Sequence, residues 1–177
     1  MTKLRPFYFS VVTLKKDYDE VFVVLDEQCA VTYEKLIIPT DGISDFRTSY
    51  HGITPEMVSE RGIPFSVARN NISLLLRNKM VVGYDLQASL KTMLLDDLIP
   101  RDMWRDTATA RLFRMEKEVD GQIVYTKLKL REIALKHLQM KMPGGDLHDC
   151  IEDAKISMML YRKYKDHSDY DWYGNFH

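Results

Sequence analysis

Residues 64–95, PFSVARNNISLLLRNKMVVGYDLQASLKTMLL, decide the fold that the sequence predicts. In the first part of this stretch, apolar side chains recur at helical spacing as far as Arg77 and Asn78. Residues 79–84 contain four successive apolar residues, which is typical of a buried strand. A second helix is predicted for residues 85–95, with Asp85 at its N-terminal end. A buried strand between two helices indicates an α/β domain.

The segment before this stretch is predicted to open the fold with strands. Residues 7–13, 21–25 and 31–38 are rich in β-branched and aromatic residues, as strands are. The connections between them are short and polar, so we expect an antiparallel meander. Further along, Thr54 is predicted to cap a short helix that has Pro55 at its first position.

The segment after residue 95 adds one strand and two helices to the prediction. These elements are a strand at residues 104–107, a loop at residues 112–125 with a hairpin-type turn at Asp120 and Gly121, and helices at residues 128–138 and 149–164. The complete order predicts a mixed five-stranded sheet with helices on both faces. We expect one domain over residues 1–165, followed by an acidic, aromatic tail over residues 166–177.

The composition limits the classes of protein to which the chain can belong. Its 177 residues, 45% of them hydrophobic, suffice for one compact domain with a core. The net charge of -1 lacks the overall basic character common in nucleic-acid-binding domains. Two cysteines, Cys29 and Cys150, are too few for a disulfide framework. We therefore expect an intracellular protein of the nucleus or cytoplasm, neither secreted nor inserted in a membrane.

Several motifs, in a continuous order, resemble those of one known family. They are Asp26, Pro39, Asp45-Phe46-Arg47-Thr48, Gly52-Ile53-Thr54-Pro55-Glu56-Met57, Lys79-Met80-Val81-Val82-Gly83-Tyr84, Arg105-Asp106-Thr107 and Leu147-His148-Asp149-Cys150-Ile151-Glu152-Asp153-Ala154. Together they cover most of the chain, and it resembles the Rex-type DEDDh 3′-to-5′ exonucleases, which are DnaQ-like proteins. The resemblance implies an RNase H-like fold.

The resemblance also implies a chemistry and identifies the residues that depart from it. Four carboxylates in this family hold two divalent cations, Mg²⁺ or Mn²⁺, and a histidine deprotonates the attacking water. Ser10, Val12 and Ser89 stand at the positions of three of these acids, whereas Asp153 and His148 retain the fourth acid and the base. The sequence therefore predicts vestigial catalytic positions, no metal and no cofactor, and a protein that is not an enzyme.

Other acidic residues offer alternative assignments. Asp26 and Glu27 follow a strand, but a hairpin turn explains them better than a shifted first motif. Asp85 lies one helical turn before Ser89 and is a candidate to replace the missing acid in part, although stabilisation of the helix dipole is the simpler interpretation. Asp149 is similarly interpreted as the cap of the last helix. A residual nuclease with one cation at Asp85, Asp149 and Asp153 stays open as an alternative.

Basic side chains near residue 130 form the candidate RNA-facing patch. Its members are Arg111, Arg114, Lys127, Lys129, Arg131 and Lys136. The alternative is a solvated face opposite apolar residues of the predicted helix.

The tail contains candidate anchors for a protein partner. These are Tyr170, Trp172, Tyr173 and Phe176, because aromatic residues are enriched at interaction hot spots. Alternatively, the tail packs back on its own domain. The leading hypothesis is a catalytically inactive, exonuclease-like scaffold subunit that binds protein partners of an RNA-processing complex or in small-RNA metabolism. Its alternatives are a non-catalytic single-stranded RNA-binding protein and a weak residual metal-dependent 3′-to-5′ exoribonuclease.

Overall fold

The computed structural model describes residues 6–13, 20–26, 28–38, 48, 53–142, 150–167 and 172. Its strands are β1 (Pro6–Thr13), β2 (Glu20–Leu25), β3 (Val31–Ile38), β4 (Ile63–Pro64), β5 (Met80–Gly83), β6 (Trp104–Asp106), β7 (Arg114–Val119) and β8 (Gln122–Lys127). Its helices are α1 (Pro55–Arg61), α2 (Phe65–Leu76), α3 (Leu86–Thr92), α4 (Leu130–Leu138) and α5 (Cys150–Tyr164). Short 3-10 turns occupy Arg101–Met103 and Arg111–Phe113.

Six strands form the main sheet, in the order β4-β3-β2-β1-β5-β6. The meander β1-β2-β3 is antiparallel, whereas β5 pairs parallel to β1 and β6 pairs parallel to β5. The predicted mixed α/β architecture is confirmed, and all five predicted strands are present. The sixth strand, β4, has two residues and is too short to produce a periodic pattern in the sequence. Because β1, β5 and β6 run in the same direction, their C-terminal ends lie at one edge, which we call the shared edge.

Helices cover both faces of the sheet, as predicted, and the alternation of strand residues shows why. On one face, Val23 and Val82 pack into a core cluster with buried residues of α4 and α5. On the other, Val24 and Val81 pack with buried residues of α2 and α3. Neighbouring residues of a strand point to opposite faces, so these fully buried strands place apolar side chains in both cores.

The prediction of a loop at residues 112–125 is wrong, because β7 and β8 form an antiparallel hairpin there. Its turn was identified correctly: Asp120 and Gly121 both have positive φ, of 52° and 75°, as a two-residue hairpin turn requires. The strands themselves are mostly exposed on both faces. A two-stranded ribbon without a buried face has no hydrophobic alternation from which to recognise it.

No helix within the described ranges is long and apolar enough to cross a membrane.

Candidate functional site

Asp106, the last residue of β6, connects this strand to the residues that follow β5 at the shared edge. Its Oδ1 accepts hydrogen bonds from the backbone N–H groups of Asp85 and Ala108, both at 2.9 Å, and its Oδ2 accepts one from Leu86 at 3.0 Å. Burial raises the pKa of Asp106 to about 6, although the three N–H donors act in the opposite direction. With both oxygens engaged, this carboxylate caps the start of α3 and holds the shared edge together.

Asp85 lies directly before α3 in a left-handed conformation, with φ of 59°. The helix begins at Leu86, one residue later than predicted, and the Asp85 side chain makes no capping hydrogen bond. Its Oδ2 instead accepts a hydrogen bond from Lys127 Nζ at 2.6 Å. The interpretation of Asp85 as a helix-terminal carboxylate is therefore incomplete, because its direct partner is a cation of β8 and Asp106 supplies the cap.

Ser89, at the position of the resembled family's third acid, lies inside the protein. Its side chain is buried, and its Oγ donates to the backbone oxygen of Asp85 at 3.2 Å. A serine hydroxyl bonded to its own helix provides no negative charge for a cation.

Tyr84 lies near four carboxylates of the site. Its hydroxyl donates to the backbone oxygen of Leu128 at 3.0 Å. Burial, together with the negative charges of nearby carboxylates, raises the pKa of Tyr84 to about 12; the carboxylates belong to Asp85, Asp106, Glu132 and Asp153. Asp153 of α5 thus contributes to the same acidic surroundings as the residues of the shared edge.

The described carboxylates alone do not complete the two-cation site that the resembled family implies. No group of three or more His, Cys, Asp or Glu side chains in the described part of the chain is arranged to hold a metal ion. Asp106 is committed to three N–H groups and Asp85 to Lys127. Of the other predicted positions, Ser10 and Val12 lie on β1 in register with Val23 and Val21. His148 falls outside the described residues.

Three of the six predicted RNA-facing residues lie at the start and end of the hairpin. Arg114 and Lys127 are cross-strand partners, and Arg111 precedes β7. The Arg111 guanidinium lies 4.8 Å from the centroid of the Tyr125 ring and donates a hydrogen bond to its hydroxyl. Lys127 Nζ lies 5.0 Å from the centroid of the Tyr84 ring. We call Arg111, Arg114, Lys127 and these two tyrosines the hairpin base.

The other three predicted RNA-facing residues belong to α4 or directly precede it. Lys129 precedes the helix, and its backbone N–H donates to Glu132 Oε2 at 2.7 Å. Arg131 and Lys136 are exposed on α4. Sequence reasoning did not single out Tyr84 and Tyr125. The available signal for Tyr125 was its spacing of two residues from Lys127, which places both on one face of a strand.

Among the predicted partner anchors, Trp172 is the one that the structure describes, and it packs in the core. Its side chain is only 3% exposed. Its ring makes edge contacts with Phe113 and Tyr161, at centroid distances of 5.7 and 5.3 Å. For Trp172, therefore, the packing of the tail against its own domain is the alternative observed. Tyr170, Tyr173 and Phe176 lie outside the described residues, and the boundary after residue 165 stays a prediction.

Comparison with curated proteins identifies relatives, although no protein-family model matches the chain. The chain is 35% identical to human apoptosis-enhancing nuclease over 133 residues, which are 75% of this chain and 39% of that protein. It is 35% identical to RNA exonuclease 4 of Xenopus laevis over 129 residues, 73% of this chain and 28% of that protein. RNA exonuclease 4 of Gibberella zeae is 30% identical over 148 residues, with coverages of 84% and 43%. The chain thus spans less than half the length of each of these relatives.

Solved structures share the fold. The Neurospora crassa Pan2 catalytic unit, containing protease and nuclease domains, has a TM-score of 0.69 at 21% identity, covering 93% of this chain and 28% of that one. Exonuclease I of E. coli, solved with a 5cy-dT13 oligonucleotide, has a TM-score of 0.51 at 13% identity, with coverages of 95% and 42%. At these identities the likeness concerns the fold alone.

The relatives overturn the prediction that this chain is not an enzyme. That prediction rested on neutral residues at positions 10, 12 and 89, but the aligned proteins are named as nucleases and exonucleases. Neutral residues at aligned positions are insufficient grounds for inactivity, because a carboxylate nearby can replace a missing one, and Asp85 lies one helical turn from Ser89. The motifs, the fold and the relatives agree on one assignment: the chain belongs to the DEDDh-type, DnaQ-like exonuclease family.

Proposed function

We propose that the chain binds single-stranded RNA and removes nucleotides from its 3′ end. Family membership supports this activity, and two of the relatives described above are named RNA exonucleases. The observation that carries the proposal is the position of the hairpin base, whose Lys127 contacts Asp85 at the acidic shared edge. Cations that bind the phosphate backbone would lie directly beside the carboxylates at which the RNA end is processed.

The activity should be slower than that of family members with four metal-binding carboxylates. When bound, the divalent cations of such sites stabilise the charge that develops on the transferred phosphate. Ser89 provides no carboxylate for them, and Asp106 is occupied with backbone N–H groups. The contribution of this chain's own residues is to position the strand: Lys127 and the arginines bind phosphates, and Asp153 and Asp85 keep the adjoining edge acidic.

The test is digestion of a 5′-labelled single-stranded RNA by the purified chain, with Mg²⁺, with Mn²⁺ and with EDTA. We expect a ladder of products shortened from the 3′ end, formed with a divalent cation and absent with EDTA. Asp153→Asn should abolish the ladder, because it removes the acid that the motifs retain. Asp97→Asn is the matched control, since Asp97 is an exposed carboxylate after α3.

Three outcomes of this digestion would contradict the proposal. An intact substrate at enzyme excess with both cations would reject the exonuclease activity. Equal activity of wild type and Asp153→Asn would also reject it, since the products would then come from a contaminating nuclease. Products shortened from the 5′ end would reject the polarity.

A role as a subunit of an RNA-processing assembly is a second proposal, favoured by the other face of the hairpin. That face carries three exposed apolar side chains, those of Met115, Val119 and Val124. They are 46, 42 and 45% exposed, respectively. Val124→Lys should reduce recovery of partner proteins with the tagged chain from its native cells, whereas Lys117→Arg on the same face should not. Equal recovery with both variants would remove the support of this surface for a partner role.

A further inference from the structure

The hairpin base presents like charges opposite each other. Arg114 and Lys127 are cross-strand partners, so their side chains project from the same face of the ribbon. Like charges directly opposite in an antiparallel pair are destabilising. Arg111, at the 3-10 turn immediately before β7, brings a third cation to this end of the hairpin. Asp85 balances the charge of Lys127, and the two arginines beside this pair favour an anionic ligand.

Aromatic rings hold two of these cations in place. Arg111 lies over Tyr125, to whose hydroxyl it also donates a hydrogen bond. Lys127 lies over Tyr84 while it contacts Asp85. Sites for single-stranded nucleic acids combine cations for the backbone with aromatic or guanidinium planes on which bases stack. An anion without bases, such as an acidic peptide segment, would make no use of these planes.

Acidic residues on the same hairpin face limit the extent of the site. Glu116 is the cross-strand partner of Tyr125, and Glu118 is the partner of Ile123. The half of this face nearer the turn is therefore negative, whereas the half at Arg114 and Lys127 is positive. A bound strand would cross the hairpin base and would not follow the ribbon to its turn.

We propose that the hairpin base binds a segment of single-stranded RNA upstream of the 3′ end. Phosphates lie at Arg111, Arg114 and Lys127, and one base stacks on the guanidinium plane of Arg111, which the Tyr125 ring supports from the other side. This inference rests on the proposed function, because it assigns the hairpin to the substrate of that activity. It adds a specific requirement: RNA that is too short to reach from the shared edge to the hairpin base loses these contacts.

The test is fluorescence anisotropy of labelled single-stranded RNAs of roughly 4 and roughly 16 nucleotides, which span the range of known single-strand sites. Arg111→Ala and Tyr125→Leu should each weaken binding of the longer RNA about tenfold and leave the shorter RNA unaffected. Arg111→Ala should also lower the slope of log affinity against log salt by about 0.7, the value for one phosphate contact on a single strand. Tyr125→Leu should leave that slope unchanged, because it removes no charge.

Matched controls separate a specific site from general charge. Arg131→Ala and Lys136→Ala remove the same charge from exposed positions of α4 and should change neither affinity nor slope. Arg111→Lys should keep the slope but lose affinity, since lysine lacks the stacking plane. Far-UV circular dichroism and thermal unfolding establish that each variant is folded. If the α4 variants weaken binding as much as Arg111→Ala does, the proposed site is overturned.

Failure of the inference differs from failure of the proposed function. If wild type digests RNA but the hairpin variants bind the longer RNA as wild type does, the hairpin assignment is wrong and the activity stands. If the wild-type chain binds neither RNA, both are wrong. Displacement of the RNA by polyglutamate as effectively as by unlabelled RNA would assign the site to acidic protein segments and overturn the inference.

Discussion

Lys127 Nζ lies 2.6 Å from Asp85 Oδ2, an ion pair that joins the second strand of the hairpin to the residue preceding α3. The two side chains are 41% and 45% exposed. The pair therefore connects the cationic hairpin base to the acidic shared edge in contact with solvent. A bound phosphate could replace the carboxylate as the partner of Lys127 without burying an unpaired charge.

The first prediction concerns the energy of this pair. In a double-mutant cycle with Lys127→Met and Asp85→Asn, we expect a coupling free energy of only about 0.2 to 1 kcal/mol, because exposed ion pairs are weakened by solvent. Urea unfolding of wild type, both single variants and the double variant measures it, and the coupling should decline as salt is added. A coupling above about 2 kcal/mol would show that the pair fixes the hairpin to the domain.

The second prediction concerns Asp106 and pH. Its pKa is about 6 in the folded chain against 3.8 for the unconstrained group, so the folded state binds the proton more tightly. Protonation of Asp106 therefore stabilises the folded state. This stabilisation is fully present below pH 3.8 and is lost as pH rises through about 6. Relative to Asp106→Asn, wild type should lose up to about 3 kcal/mol between pH 4 and pH 7, at 1.36 kcal/mol per unit.

Urea unfolding of both proteins across this range provides the measurement for Asp106. The comparison uses the difference in the free energy of unfolding between wild type and variant. This is necessary because the lowered pKa of His137 makes its own contribution to stability rise with pH. Burial lowers the pKa of His137, with the positive charges of Lys136 and Lys163 adding to the effect. A difference that stays constant with pH would mean that the three N–H donors fully offset the burial of the carboxylate.

The third prediction concerns Tyr84 at alkaline pH. Its pKa of about 12, compared with the ordinary 10.0, means that stability is lost as pH rises from about 10 through about 12. In a spectrophotometric titration of tyrosinate, subtraction of the Tyr84→Phe curve from that of wild type should isolate a transition near pH 12. Tyr33→Phe serves as the control for a second tyrosine whose pKa burial raises. A Tyr84 transition at pH 10 would show that the phenol is open to water.

The main sheet and its helices could be predicted because their signals are local. The segment with the helix α2 and the strand β5 has helical periodicity followed by a continuous apolar run, and both elements appear where the sequence predicts them. The same holds for the cap of α1, where the Thr54 hydroxyl accepts from Met57 N–H at 3.3 Å. In each case neighbouring residues determine the conformation, so no tertiary information is needed.

The chemistry of the shared edge could be predicted only in part, because it depends on contacts between distant residues. The hydrogen bonds that Asp106 accepts from Asp85 and Leu86 span about twenty positions of the chain, and such contacts produce no periodic pattern in the sequence. The ion pair of Lys127 with Asp85 spans still more. Sequence motifs identified the position of Ser89 but could not show that its hydroxyl faces its own helix. A count of acids at aligned positions therefore led to the wrong conclusion about enzymatic activity.

The fourth prediction concerns Trp172. Its ring, 3% exposed, belongs to the core cluster with Phe113 and Tyr161, so its contacts stabilise the domain although it lies in the predicted tail. Trp172→Ala should reduce the free energy of unfolding by about 3 to 5 kcal/mol, because it leaves a large cavity. Trp172→Phe keeps an aromatic ring in place and should cost clearly less than Trp172→Ala, because it leaves a smaller cavity.

Urea unfolding of the two Trp172 variants, followed by far-UV circular dichroism, measures these costs. Leu74→Ala on α2 is the control, since this side chain is 62% exposed and its removal should have little effect. A loss below about 1 kcal/mol for Trp172→Ala would mean that the ring is dispensable for the core and available to a partner. A large loss for the alanine variant and a small one for the phenylalanine variant would instead show that residue 172 stabilises the core by packing, because a smaller aromatic ring would suffice there.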